Sequence, residues 1–261
     1  MYRGFNLKIT EDLEQRYLIS GYTVFKYLKD KAIESLDNFF LKNGSLDGNK
    51  IMESWFPNVP SHIFLSHSHK DIEKAILIAG MLYENFKIIT FIDSIVWSYC
   101  NDLLKQIDDN YSLNDDKLHY SYERRNYTTA HVHLMLSTAL NKMIDSSESV
   151  FFLNSPNSIS TETEISQKTN SPWIFSEIST TQIIRKQTPE RLKPQTKLFK
   201  ALDLNESQRS SLTIEYDLEL SHLRDINSNE FNIWIQNQTE NAEEALDLLY
   251  NQFPLKPKFL I

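Results

Sequence analysis

Three short apolar runs, at 62–65 (HIFL), 88–92 (IITFI) and 149–153 (SVFFL), alternate from Ser61 onward with segments of helical period. Runs of four or five residues suit a strand buried on both faces and are too short for a core helix, so the alternation predicts an α/β domain with a largely parallel sheet. The intervening periods place helices at about 71–83, 98–107, 131–144, 172–185 and 242–253, with a further strand near 212–216. Between 108 and 128 the chain reads DDNYSLNDDKLHYSYERRNYT, a polar stretch longer than an ordinary connection and so either a functional lid or partly disordered.

The first part of the chain differs in kind. Val24, Phe25, Leu28, Ala32, Leu36, Phe39 and Phe40 recur at three- and four-residue steps, which predicts an amphipathic helix over 22–41, ended by Asn43-Gly44. A weaker helical pattern covers 10–19, and Pro57 and Pro60 bracket a boundary. The reading is a small helical region at 1–58, followed at 59–261 by the α/β domain with an expanded loop at 98–130. The N-terminal helix needs a neighbour for its apolar face, in its own chain or a second subunit.

Charge and composition narrow the function. Lys and Arg number 27 against 35 Asp and Glu, a formal net charge of −8. Residues 1–57 are balanced at eight of each sign, so the remainder (19 basic, 27 acidic) carries the deficit. This argues against nucleic acid and anionic membrane as main partners. Five glycines in 261 residues form neither GxGxxG nor GxxxxGK[ST], so a bound phosphate would be held by side chains and helix N-termini. The single Cys100 leaves no intrachain disulfide and no CxxC zinc site. No apolar run has membrane-spanning length and the N-terminus has no h-region, so the expected location is the cytoplasm.

Two segments carry candidate chemistry. In HIFLSHSHKD (62–71) a strand leads into Ser66, His67 and Ser68, and Ser68 with Asp71 fits a capping box opening the next helix. The segment reads either as an ordinary strand-to-helix turn or as a ligand loop at a strand C-terminus. HSHKD also resembles the HxHxDH of metallo-β-lactamase-type hydrolases, with Ile72 in place of the last histidine. His131 and His133, two apart on a helix, point about 200° apart and cannot share a metal.

In Ser171-Pro-Trp-Ile-Phe-Ser-Glu177, Ser171 is a good N-cap and Pro172 suits the first helical position. Trp173 and Glu177 then share one face. They read either as a core tryptophan beside a solvated glutamate, or as a stacking surface beside a carboxylate that meets a developing positive charge. Glu123, Arg124 and Arg125 among Tyr120, Tyr122 and Tyr127 read as a solvated loop or as a phosphate and adenine clamp. Cys100 has no evident activating base, and Ser66 lacks a GxSxG elbow.

Taken together, HIFLSHSHKD, FIDSIVW (91–97), SVFFLNSPNS (149–158) and SPWIFSEI (171–178) follow the order and rough spacing of a TIR (Toll/interleukin-1 receptor) domain, which residues 61–187 resemble. The resemblance implies a flavodoxin-like fold and cleavage of the nicotinamide-ribose bond of NAD, with NAD as substrate and neither cofactor nor metal. By position, Glu177 matches the catalytic glutamate and Trp173 its aromatic neighbour. Ser66, His67 and Ser68 match the loop lining the nucleotide site, with Asp93 and Trp97 in the loop after the second strand. The TIR enzymes of Thoeris-like antiphage defence are similar, which implies a nucleotide messenger, a downstream effector and self-association. The alternatives are a non-catalytic TIR interaction module and a metal-dependent hydrolase built on HSHKD.

Overall fold

Each of the three apolar runs contains a strand in the computed structural model, which describes residues 1–29, 36–162, 167–192 and 215–255. In chain order the elements are β1 (Arg3–Lys8), α1 (Leu18–Lys29), α2 (Gly48–Trp55), β2 (Ile63–Ser66), α3 (Ile72–Phe86), β3 (Thr90–Ile92), α4 (Ser94–Tyr111), α5 (Tyr122–Ser146) and β4 (Ser149–Leu153). There follow β5 (Thr161–Glu162), β6 (Gln167–Thr169), α6 (Pro172–Ile183), β7 (Tyr216–Leu218), β8 (Arg224–Asn227), α7 (Ser228–Ile235) and α8 (Ala242–Gln252). Five strands form a sheet in the order β3-β2-β4-β1-β8, parallel throughout, as the apolar runs require. A five-strand parallel sheet covered by helices is consistent with a flavodoxin-like fold. Strands β5, β6 and β7 make a small antiparallel sheet.

The separate helical region expected at 1–58 is not what forms. Its first residues are β1, which pairs with β4 on one side (Phe5 opposite Phe151) and with β8 on the other (Phe5 opposite Arg224). The polar residues of RGFNLK obscured this strand, yet its two buried ones, Arg3 and Asn6, are satisfied inside. Arg3 donates to the carbonyls of Tyr250 and Phe253, and Asn6 bridges Asp225 at 2.6 Å and Asn154 at 3.1 Å. The helix expected over 22–41 is α1 in its first part; residues 30–35 lie outside the described residues, and Leu36–Phe39 is a 3-10 turn. In the span of the weaker helix stand only a 3-10 turn, Gln15–Tyr17, and the first two residues of α1. Of the strand expected at 212–216, residues 212–214 lie outside the described residues and β7 begins at Tyr216.

Helix α1 buries its apolar face against its own chain, on α3. Gly21 and Gly80 meet at the crossing: a Cβ on Gly80 would lie 2.0 Å from the Tyr17 carbonyl oxygen, and one on Gly21 2.1 Å from that of Ile76. Backbone occupies the space a side chain would need, so both positions require glycine.

Successive strand residues point to opposite faces, and β4 shows what covers each. Phe151 packs with Phe5 and with Trp234 of α7, beside Phe86 of α3. Phe152 packs with Ile159, Leu218 and Leu223 and with Ile174 and Ile178 of α6. Helix α6 thus lies against the sheet, which brings Glu177 to the strand ends.

The stretch read as an expanded loop at 98–130 is mostly helix. Helix α4 runs on to Tyr111 and α5 starts at Tyr122, capped by the Ser121 hydroxyl, leaving a ten-residue turn closed by a bridge between Leu113 and Tyr120. Asp108, 3% exposed, accepts from Arg125 Nε at 3.0 Å and from Thr128 Oγ1 at 2.5 Å, so polar side chains join the two helices where apolar ones are few. Among the described residues no helix is long and apolar enough to cross a membrane.

Candidate active site

The carboxyl ends of β2 and β3 bring four of the seven candidate residues together. Ser66 ends β2 and His67 follows it; Asp93 follows β3 and precedes α4. Glu177 comes from α6, whose start is fixed as the sequence suggests: Pro172 is the first helical residue and Ser171 Oγ accepts from the Ile174 N–H at 3.3 Å.

All four side chains point inward. Ser66 Oγ donates to Glu177 Oε2 at 2.6 Å. Glu177 is 1% exposed, so the solvated glutamate is excluded. Its other carboxyl neighbour is Asp93, within hydrogen-bonding reach. His67 Nδ1 lies 2.6 Å from Asp93 Oδ1 and 3.3 Å from the Leu65 carbonyl oxygen, while Nε2 lies 2.7 Å from Ser94 Oγ. The Nδ1–Oδ1 contact is close but poorly aligned and acts through charge; Asp93 Oδ1 and Glu177 Oε1 are both buried without an aligned donor.

Burial, and then the neighbouring Asp93 charge, raise the Glu177 carboxyl well above the ordinary carboxylate range, against the opposing bond from Ser66. Burial works against a charged His67. The charge of Asp93, its contact with the ring, the Leu65 carbonyl and Asp71 outweigh it, and the imidazole stands above its ordinary value. A buried carboxyl that favours its proton, set beside a second carboxyl and an imidazole, can hold and release a proton, or present an anion to a cationic centre.

The other candidates stand differently. Ser68 opens a 3-10 turn, His69–Asp71, without a side-chain capping bond, so the capping box is not made. Asp71 instead accepts from Ser155 Oγ at 2.5 Å and Asn157 Nδ2 at 2.7 Å, tying the loop after β2 to the loop after β4. Trp97 lies in the first turns of α4, and its side chain is outside the described residues. Trp173 is half-buried against the core and meets His133 of α5 edge to face at 5.6 Å. His67 turns inward while His69 is exposed, so HSHKD does not gather its histidines, and no metal-binding group of three His, Cys, Asp or Glu is present among the described residues. Burial pushes the Cys100 thiol up to about 11, the state of a packed, unreactive cysteine. In the proposed clamp, Arg125 is held by Asp108 and lies over the Tyr120 ring, while Arg124 donates to Asn114.

Sequence reasoning missed Ser94, Ser155 and Asn157. Each is a small polar residue after a strand, indistinguishable from a turn former until its partner is in place. No family model, curated protein or solved structure matches the chain.

Proposed function

We propose that the chain is a TIR-like enzyme that cleaves the nicotinamide-ribose bond of NAD, acting in the cytoplasm in antiphage defence. One observation carries the reading: Glu177, the residue in the position of the TIR glutamate, is held by Ser66 beside Asp93 at the carboxyl ends of parallel strands, where α/β sheets bind ligands. Nicotinamide leaves with the electron pair of the C–N bond and becomes neutral, while the positive charge passes to the ribosyl C1 and ring oxygen. Ionised Glu177 faces that charge, and Ser66 fixes the carboxylate by its second oxygen. Water adding to C1 loses a proton and gives ADP-ribose; an adenine nitrogen of the same molecule gives a cyclic isomer; a separate nucleophile gives a conjugate. The product is a messenger for a downstream effector, and copies of the chain associate to complete the site. With Glu177 so buried, NAD binding opens the strand ends.

The test is incubation with NAD and resolution of the products by mass spectrometry, for the wild type and Glu177→Gln. Glutamine keeps the size and hydrogen bonds of a protonated glutamate but cannot supply the charge. Turnover falls by about a hundredfold or more, equivalent to about 2.7 kcal/mol of transition-state stabilisation, while the fold persists. Equal turnover in the two proteins removes Glu177 from the chemistry. The burial of the network also favours a second reading, a non-catalytic module in which these side chains only fix the core. That reading requires no NAD cleavage by the wild type.

A further inference from the structure

Resting on that reading of Glu177, we infer that His67 and Asp93 are positioning residues that set its charge, the His67 ring being the buried cation that lets the Asp93–Glu177 pair carry a single negative charge. His67, Asp93 and Glu177 are each at most 3% exposed, so any net charge they hold is isolated from water. One imidazolium, one carboxylate and one carboxylic acid sum to zero. Ionising both carboxyls leaves a buried negative charge, and deprotonating the ring leaves the remaining carboxylate uncompensated.

The contacts match that count. A charged imidazole has two N–H donors and no acceptor, and both ring nitrogens of His67 have acceptors in reach: Asp93 and the Leu65 carbonyl on one side, the Ser94 hydroxyl on the other. The Asp71 carboxylate adds to the negative field at the ring. Glu177 is faced by Asp93 and by the neutral Ser66 hydroxyl. Among the described residues neither Asp93 nor Glu177 is ion-paired to a lysine or arginine, so His67 is the cation available to this pair. The two residues therefore act on the reaction through Glu177, where the sequence reading made them substrate contacts.

The test follows the Glu177 carboxyl carbon by NMR against pH in the ligand-free protein, for the wild type, His67→Gln and Asp93→Asn, alongside the pH profile of NAD cleavage. Removing the cation moves the Glu177 midpoint up, and removing the anion moves it down, each by about one pH unit or more. The acid limb of NAD cleavage moves with them. Two variants that merely loosen packing do not shift a midpoint in opposite directions; shifts in the same direction, or none, overturn the inference. A measurement on the unmutated chain stands in should either variant fail to fold: the ring nitrogen shifts of His67 report an imidazolium at pH 6, and a neutral ring there overturns the inference. Failure of the wild type to cleave NAD removes the proposed function, while the carboxyl and ring titrations still decide the charge assignment.

Discussion

Replacing Gly80 by alanine puts the α1–α3 crossing to a quantitative test. In a helix interior the change alone favours alanine by about 1 kcal/mol. At this crossing the new Cβ would meet the Tyr17 carbonyl oxygen at 2.0 Å, Gly21 N at 2.6 Å and Gly21 Cα at 3.0 Å. Ordinary contact begins near 3.4 Å, so α1 must retreat by about 1.4 Å (3.4 − 2.0), and every atom in the way is backbone. Overpacking of this kind costs about 1–3 kcal/mol, and retreat of α1 also loosens buried Val24 and Tyr17. A net loss near 2 kcal/mol lowers the melting temperature by about 4–8 °C in a chain of this size. Gly48→Ala is the reference: its Cβ meets only the terminal methyl of Met135 at 3.3 Å, which can swing aside, and its melting temperature stays within about 2 °C of wild type. Thermal unfolding followed by circular dichroism reads both. A Gly80→Ala protein as stable as Gly48→Ala would refute the close approach of the two helices.

Trp173→Ala lowers NAD turnover and Trp173→Phe retains more of it, because the ring packs on the core and against His133; equal rates in wild type and Trp173→Ala make the ring a spectator. Stability also responds to pH through Glu177 and His67. Both are raised in the folded state, so their contributions are present in full below the unfolded values, about 4.3 and 6.5, and are lost as pH rises through the folded ones. Glutamine at 177 does not titrate, so melting temperatures at pH 5 and pH 8 move in favour of Glu177→Gln at the higher pH; a constant difference between the two proteins contradicts the buried acid. A chain starting at Asn58 lacks β1 and fails to fold cooperatively, since β4 and β8 lose the strand between them; a sharp melting transition in that chain counts against the sheet order.

Much of this architecture was legible because burial on both faces leaves a plain mark. IFLS, TFI and SVFFL carry no charge, and the helical period from Ala75 to Leu82 belongs to a helix apolar on most sides. Strand β1 is as deeply buried but reads as RGFNLK, since burial there is reconciled with polarity by partners from residues 154, 225, 250 and 253. The start of α5 was hidden for a related reason: from Tyr122 to Ala130 only Thr128 is buried, and the turn is held by Asp108 rather than by an apolar stripe. At the site, SPWIFSE located Glu177 because capping is local. The inward turn of His67 toward Asp93 and Ser94 was not legible, because it depends on two strands lying side by side.

The place of β1 also dictates an order of events during synthesis. Its partners lie far along the chain: Arg3 pairs with Ser149, 146 residues later, and Phe5 with Arg224, 219 residues later. At translation rates of about 5–20 residues per second, the second partner leaves the ribosome roughly 10–40 s after β1. Until Ser149 emerges β1 has no strand to join; from then until Arg224 emerges it can pair with β4, but its other edge stays open to other nascent chains. Closing such long loops is slow, so the sheet is completed late, and the interval before Arg224 emerges is when this chain is most exposed to misassembly and most dependent on a chaperone.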